Sequence, residues 1–366
     1  MKSDLLIYAC ALSRIFASKC AVSRQLAEYG DIGDFFDMSR EQLLEILPTG
    51  SNYVDSILDP QILEWANKEI EWTRKYGIDV IYIKDERYPK RLKECPDAPL
   101  VLYYKGNADL NAEKILSVVG TRQASIYGKD CCRKIIERLS RQVIKPLIVS
   151  GLAYGIDATA HRSAIEFGLP TVGVMATGLN EIYPHAHKEL AKEIVEKGGL
   201  LTDFPSGTTP FKGNFVRRNR IIAGIADATL LVESFSKGGG IITASLANSY
   251  SRELFAVPGR ITDLSFEGCN RLIGANMASI VKDVSTIGKI LKWDSKDEII
   301  SNNTIFGELD NEVKIKIMEF LKLHTFVSVE NLLSLTSLSL EEVSLNLLEM
   351  EMDGLIRSVQ GNKYTT

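Results

Sequence analysis

Along the first 80 residues apolar side chains return every three or four positions, the spacing of one buried helical face. This predicts short amphipathic helices at Leu5–Phe16, Val22–Tyr29, Asp31–Phe36 and Arg40–Ile46, and a longer one at Gln61–Tyr76. The period then changes. Residues 78–105 read as strand, turn and strand, with I-D-V-I-Y-I before Y-P-K-R-L and L-V-L-Y-Y-K-G after it. From 113 to 285 short apolar runs alternate with helical stretches, which predicts an α/β fold with a doubly wound, mostly parallel sheet. Expected strands are Ile115–Val119, Pro146–Val149, Thr171–Ala176, Leu200–Asp203, Thr229–Glu233, Leu254–Val257 and Ala278–Val281. Expected helices are Tyr127–Arg141, Asp157–Phe167, Ala186–Glu196, Phe215–Ala223, Ile241–Tyr250 and Gly268–Asn276. Farther on, Val313–Leu323, Val329–Leu335 and Leu340–Met352 read as three helices. A hairpin through Gly354–Val359 and Lys363–Thr365 follows, which together is a winged-helix pattern.

A chain of 366 residues exceeds one ordinary core, so two or three domains are expected. Apolar runs such as Ala226–Val232 are too short for a membrane span, and the acid at Asp4 comes too early for a secretory leader. The six cysteines include no C-x-x-C, and they fit reduced thiols in a cytoplasm. Charge changes the picture more. The net −4 conceals a basic middle, residues 110–290, with 22 Lys+Arg against 16 Asp+Glu. A polyanion would be met there.

In doubly wound sheets ligands bind at the carboxyl ends of the strands. Those ends carry Gly120-Thr121-Arg122, Ser150-Gly151, Gly178, Tyr183-Pro184-His185 and Lys237-Gly238-Gly239-Gly240. The segment Phe215-Val216-Arg217-Arg218-Asn219-Arg220 adds three guanidiniums within four residues. Cations with bare backbone N–H groups suit a ligand rich in phosphates. The loops lack G-x-G-x-x-G, which argues against a dinucleotide cofactor. Gly128-Lys129-Asp130 has neither the glycine spacing nor the hydroxyl of a P-loop. No nucleophile accompanies Asp157 and His161, so Asp157 is read as a helix N-cap and His161 as a buried, hydrogen-bonded histidine. His185 and His187 lack a third ligand, and no metal is expected.

The ordered set V-V-G-T-R, S-G-L-A-x-G-I-D-A-x-A-H, I-Y-P, F-x-R-R-N-R-I-I-A-G, I-I-T-A, F-A-V-P-G and G-C-N-R-L-I resembles the DNA-processing protein A family, also called DprA or Smf. The resemblance implies a SAM- or HhH-like helical domain over 1–77 and an extended Rossmann-like core over 78–290. A linker over 291–309 and a winged-helix domain over 310–366 complete that organisation. It further implies a protein without catalysis or cofactor. Such a protein binds single-stranded DNA irrespective of sequence, protects it, dimerises, and helps load a RecA-type recombinase in natural transformation and recombination. Arg122 then stands at the family's phosphate-binding arginine, and Arg217, Arg218, Asn219 and Arg220 at its R-R-N-R block. His185 occupies a position where the family often has lysine, with Lys188 one turn on as a substitute. Lys237 and the three glycines replace R-S-G-S.

Other readings of the same residues stand beside these. Arg122 suits a carboxylate partner such as Asp203 as well as a phosphate. Gly151 and Gly155 suit close packing as well as anion binding, and Phe204, Phe211 and Phe215 suit a core as well as base stacking. A second class is an enzyme acting on nucleoside monophosphates, for which Glu233 is the acidic candidate nearest the glycine loop. The winged-helix segment is acidic, with Glu341, Glu342, Glu349 and Glu351 on its third helix, so it is read as a protein-interaction or regulatory module. Isolated residues 305–366 should therefore show no duplex-DNA binding at physiological salt in a fluorescence titration.

Overall fold

The computed structural model describes residues 2–47, 51–293, 312–324, 327–336, 339–352, 355–359 and 363–365. Contacts divide the chain into two compact units, Met1–Trp293 and Asp294–Thr366. The linker expected at 291–309 lies outside the described residues beyond Trp293.

The first unit opens with helices α1 (Lys2–Ile15), α2 (Cys20–Tyr29), α3 (Arg40–Ile46), α4 (Ser51–Leu58) and α5 (Pro60–Lys75). Local chemistry sets their starts. Ser39 and Gln42 form a reciprocal capping box at α3, and Asp59 caps α5 with Pro60 in its first turn. Asp31–Phe36 is shorter than expected, a single 3-10 turn at Asp34–Phe36. Leu12, Phe16, Leu43 and Ile70 from these helices share one apolar core with the sheet that follows.

Among the described residues nine strands form that sheet. They are β1 (Asp79–Tyr82), β2 (Val101–Gly106), β3 (Ile115–Val119), β4 (Leu147–Ser150), β5 (Thr171–Val174), β6 (Gly198–Thr202), β7 (Ala228–Leu231), β8 (Glu253–Ala256) and β9 (Ser279–Ile280). Their order is β1-β2-β6-β5-β4-β3-β7-β8-β9, antiparallel at β1–β2 and β2–β6 and parallel elsewhere. Strands β3, β4, β5 and β7 are buried along their whole length. A parallel sheet covered on both faces favours such largely apolar strands, in which the few hydroxyls, such as Ser117 and Ser150, donate to backbone carbonyls.

The covering helices include α6 (Lys90–Lys93), α7 (Ile126–Leu139), α8 (Ile156–Glu166), α9 (Lys188–Lys197), α10 (Lys212–Ile225), α11 (Gly239–Ser249), α12 (Glu267–Gly274) and α13 (Val284–Leu291). From β3 the chain proceeds through β4 and β5 to β6, and α10 then carries it back to β7 on the other side of β3. The strand order therefore reverses between β3 and β7, and their carboxyl ends frame a crevice.

The second unit contains helices α14 (Glu312–Leu323), α15 (Val329–Thr336) and α16 (Leu340–Met352). Strands β10 (Val327–Ser328), β11 (Arg357–Val359) and β12 (Lys363–Thr365) form a small sheet in the order β10-β12-β11. Ile317, Leu321, Leu332, Val343, Leu347 and Met350 give it a core of its own. The two-residue β10 was too short to leave a periodic signal.

One strand position shows how tightly the sheet is built. A Cβ on Gly198 of β6 would fall 1.9 Å from the Thr171 carbonyl oxygen of β5, a backbone atom that cannot swing aside. Gly198→Ala should therefore lower stability by roughly 1–3 kcal/mol, read as a lower midpoint in urea denaturation.

Candidate nucleic-acid interface

The loop after β3 carries Gly120, Thr121 and Arg122, and buried groups hold it. The Thr121 N–H donates to the Glu233 carbonyl (2.8 Å), and the Thr121 carbonyl accepts from the Ile156 N–H (3.2 Å). Gly155 has φ +74°, and a Cβ there would come 2.2 Å from the Thr121 carbonyl oxygen, so this turn needs glycine. Just beyond, the Glu233 carboxylate accepts from the Ser125 N–H (2.9 Å) and hydroxyl (3.0 Å). The Ser125 oxygen in turn accepts from the Gly128 N–H (3.0 Å) and caps α7. Glu233 is fully buried and fixes the loop that presents Arg122.

Across the crevice, α11 begins after Gly238. In its first turn, among the described residues, the Gly239 and Gly240 N–H groups meet no acceptor. No atom lies within 4 Å of a Cβ placed on Gly239, so this backbone faces open space. Between the two loops lies a cleft of about 770 Å³, with Arg122, Lys212, Phe215, Arg218, Asn219 and Tyr183 among its lining residues. Arg122 is exposed and has no carboxylate partner among the described residues. Its guanidinium instead lies 5.2 Å from the centre of the Phe215 ring, which meets Tyr183 edge-on at 5.5 Å.

Arg218 lies below, only 5% exposed. It donates to the Val174 carbonyl, and its Nε–H has no partner. Burial lowers its pKa, against the pull of Asp157. Asp157 itself is buried, which pushes its carboxyl above the usual carboxylate range in spite of Arg218. A Cβ on Gly151 would meet the Asp157 carboxylate at 2.3 Å and the Arg218 guanidinium at 2.4 Å. Gly151 thus makes room for this pair.

The helical period of α10 divides the R-R-N-R block. Phe215, Arg218, Asn219 and Ile222 line the cleft, whereas Arg217 and Arg220, three residues apart, turn to Asp203 at the end of β6. Asp203 accepts from Arg217 Nη2 (2.8 Å) and Arg220 Nη2 (2.5 Å), and Arg220 also donates to the Asp97 carbonyl. The expectation that Arg217 and Arg220 stand beside Arg122 at a phosphate site is corrected on this point. Both turn to one buried carboxylate outside the cleft, which balances one of their two charges and leaves Arg217 partly exposed. The same carboxylate is unavailable to Arg122, so the Arg122–Asp203 pair does not form.

Packing places the remaining expected residues around or outside this cleft. Ser150 is fully buried and donates to the Val118 carbonyl (2.6 Å). Gly178 is packed against the Pro205 carbonyl and donates to the Thr208 carbonyl (3.2 Å), away from the cleft. His185, Lys188 and Lys237 are exposed but do not line it; Pro184 does line its inner recess. Gly155, not Asp157, is the N-cap of α8, and the Asp157 carboxylate accepts from the Ala153 N–H (3.2 Å).

His161 is buried as expected, with its ring nitrogens 2.7 Å from Thr171 Oγ1 and 2.6 Å from the Gly151 carbonyl oxygen. Burial pulls its pKa down to about 4. Phe204 is in the core, and Phe211 is exposed outside the cleft lining. Lys212 and Phe235, which also line the cleft, escaped the sequence reading. Lys212 lies one helical turn before Phe215 and Val216 on α10, and that spacing was its available signal.

This arrangement, a crevice at a strand-order switch lined by Arg122, Lys212 and Arg218 with Asp157 beside Arg218, agrees with similarity over most of the chain. Residues 79–292 match the family of DNA recombination-mediator protein A, and residues 310–362 match the DprA winged helix domain. The chain belongs to the DNA-processing protein A family. It is 34% identical over 264 residues to DNA processing protein DprA of Streptococcus pneumoniae, covering 68% of this chain and 93% of that one. Protein Smf of Escherichia coli is 31% identical over 313 residues, with 82% of each chain covered.

The X-ray structure of the Streptococcus pneumoniae DprA superposes with a TM-score of 0.56 at 33% identity, covering 69% of this chain and 93% of that one. The DprA of Helicobacter pylori, whose structure concerns single-stranded DNA binding, gives 0.53 at 26% identity, with 59% and 96% covered. Membership places this chain in DNA processing and recombination.

Asp203 yields a prediction specific to this fold. Burial opposes its charge, and the Arg220 and Arg217 guanidiniums outweigh that, holding its carboxyl below the usual carboxylate range. A lowered folded pKa contributes stability that is complete above the unfolded value of about 3.9 and is lost as pH falls through the folded one. Asp203→Asn should cost roughly 3–5 kcal/mol at neutral pH, because Arg220 stays buried without its counter-charge. It should also flatten the acid limb of the stability–pH curve, measured by chemical denaturation at a series of pH values.

Proposed function

We propose that this protein binds single-stranded DNA, irrespective of sequence, in the crevice between the ends of β3 and β7. The observation that carries the reading is Arg122, an exposed guanidinium without a carboxylate partner, facing unpaired N–H groups at the start of α11. A phosphate between them would take bidentate hydrogen bonds from arginine and backbone donors from a helix N-terminus. Phe215, Tyr183 and Phe235 offer π-faces to unpaired bases, which stack on aromatics whatever their identity. A duplex keeps its bases stacked inside and gains nothing from those rings. In recombination such a protein would shield the strand and, as a homodimer, pass it to a RecA-type recombinase.

The competing enzyme reading finds no support at Glu233. Glu233 is fully buried and its carboxylate holds Ser125, so it does not face the crevice. Protein incubated with nucleoside 5′-monophosphates should release no free base.

Anisotropy titrations with labelled single-stranded and duplex oligonucleotides of equal length, at two salt concentrations, test the binding. Single strands should be preferred, and affinity should fall steeply with salt. Arg122→Ala should weaken binding by roughly ten- to a hundredfold, the cost of about 1.5–3 kcal/mol for a charged hydrogen-bonding group, while the fold stays intact. Equal affinity for both oligonucleotides, or an unchanged Arg122→Ala variant, would overturn the proposal.

A further inference from the structure

We propose that the hollow on the far side of Arg122 is a second nucleotide subsite, occupied by the strand as it leaves the main cleft; this rests on the single-stranded DNA reading above. The hollow measures about 550 Å³, and Arg122, Gln123, Lys129, Tyr154 and Arg162 are among its lining residues. None of its lining residues is acidic. It is continuous with the main site, because Arg122 lines both and Tyr154 also lines the inner recess of the cleft.

Solvated surface cations are common, and two observations separate these from that background. The first is the pairing pattern on α7 and α8. Glu166 lies one turn beyond Arg162 on α8, where an i,i+4 ion pair would form readily. It is instead taken by Arg133 of α7, whose guanidinium donates to both its oxygens (3.2 and 2.5 Å). Among the described residues Arg162 and Lys129 have no ion pair, and both are exposed into the hollow. The arrangement neutralises Arg133 outside the hollow and leaves the two cations inside it uncompensated.

The second observation is the aromatic between them. Tyr154 is 51% exposed, although its ring is not loose. It stands edge-on to His187 at 4.9 Å, and His187 is buried with its Nδ1–H donating to the Leu152 carbonyl (2.9 Å). A fixed ring with a bare face, flanked by cations for the backbone, is the combination by which single strands are held without sequence preference. In the proposed subsite the base lies on Tyr154, and the adjoining phosphates meet Lys129 and Arg162.

Titrations of the full chain with oligothymidylates of increasing length, starting from the shortest that binds, test this. Wild-type affinity should rise with length. The double variant Lys129→Ala/Arg162→Ala, at side chains outside the main cleft, should bind the shortest oligonucleotide as wild type does, and Tyr154→Ala should lose affinity chiefly for long ones. Both should be about tenfold weaker than wild type for the long ones. Tyr154→Phe should restore the wild-type dependence on length.

The double variant should also lower the slope of log affinity against log salt by about 1.4, two phosphate contacts at about 0.7 each, whereas Tyr154→Ala leaves that slope unchanged. These side chains are exposed, and unaltered denaturation midpoints would confirm intact folds. Variants that match wild type at every length would overturn the subsite. So would variants equally impaired at every length, which would make the hollow part of the primary site. A wild-type protein that binds no oligonucleotide at all would instead bring down the underlying reading.

Discussion

The buried carboxylate of Asp203 fixes how α10 is turned. With Asp203 at the end of β6, Arg217 and Arg220 anchor one face of the helix, and the 3.6-residue period then sends Phe215, Arg218 and Ile222 to the crevice. Because α10 is the element that crosses from β6 to β7, the same ion-pair cluster also ties the point where the strand order reverses. Removing Asp203 would leave Arg220 buried without a counter-charge, which is why the cluster acts as a structural unit.

The result is economical in free charge. Several basic side chains of the middle segment are held internally, Arg217 and Arg220 against Asp203 and Arg133 on Glu166, while Arg91 from outside the segment takes Asp227. What reaches the crevice is a short series of cations, Arg122, Lys212 and the half-satisfied Arg218, set among aromatic rings and glycine backbone. Glu233 works from beneath, holding both the Arg122 loop and the start of α7. A groove so made has hydrogen-bond donors in quantity and few acceptors, which is the polarity that suits a phosphodiester chain.

Much of this was legible in the sequence where one physical signal dominated. The short, largely apolar run Ile115–Val119 reads as a buried strand, and it is β3 with the same bounds. His161, on a helix with no nucleophile nearby, is buried and hydrogen-bonded as its context implied. The R-R-N-R block shows the limit of such reading. Its charges are visible in sequence, but the partner of Arg217 and Arg220 lies 14 and 17 residues earlier, on a strand whose position depends on the whole sheet. Ser150 and Gly178 stand outside the cleft lining for a related reason: tertiary packing turns the Ser150 hydroxyl inward and closes the Gly178 backbone against a loop. Phe235 carried no motif and became visible only when its loop was brought against α10.

The most direct test is a crystal structure of the full chain with a short oligothymidylate. The account predicts a backbone phosphate within hydrogen-bond reach of Arg122 and of the Gly239 and Gly240 N–H groups, with Asp203 still paired to Arg217 and Arg220. A strand bound across Arg217 and Arg220, with Asp203 displaced from them, or bound away from the crevice altogether, would contradict it.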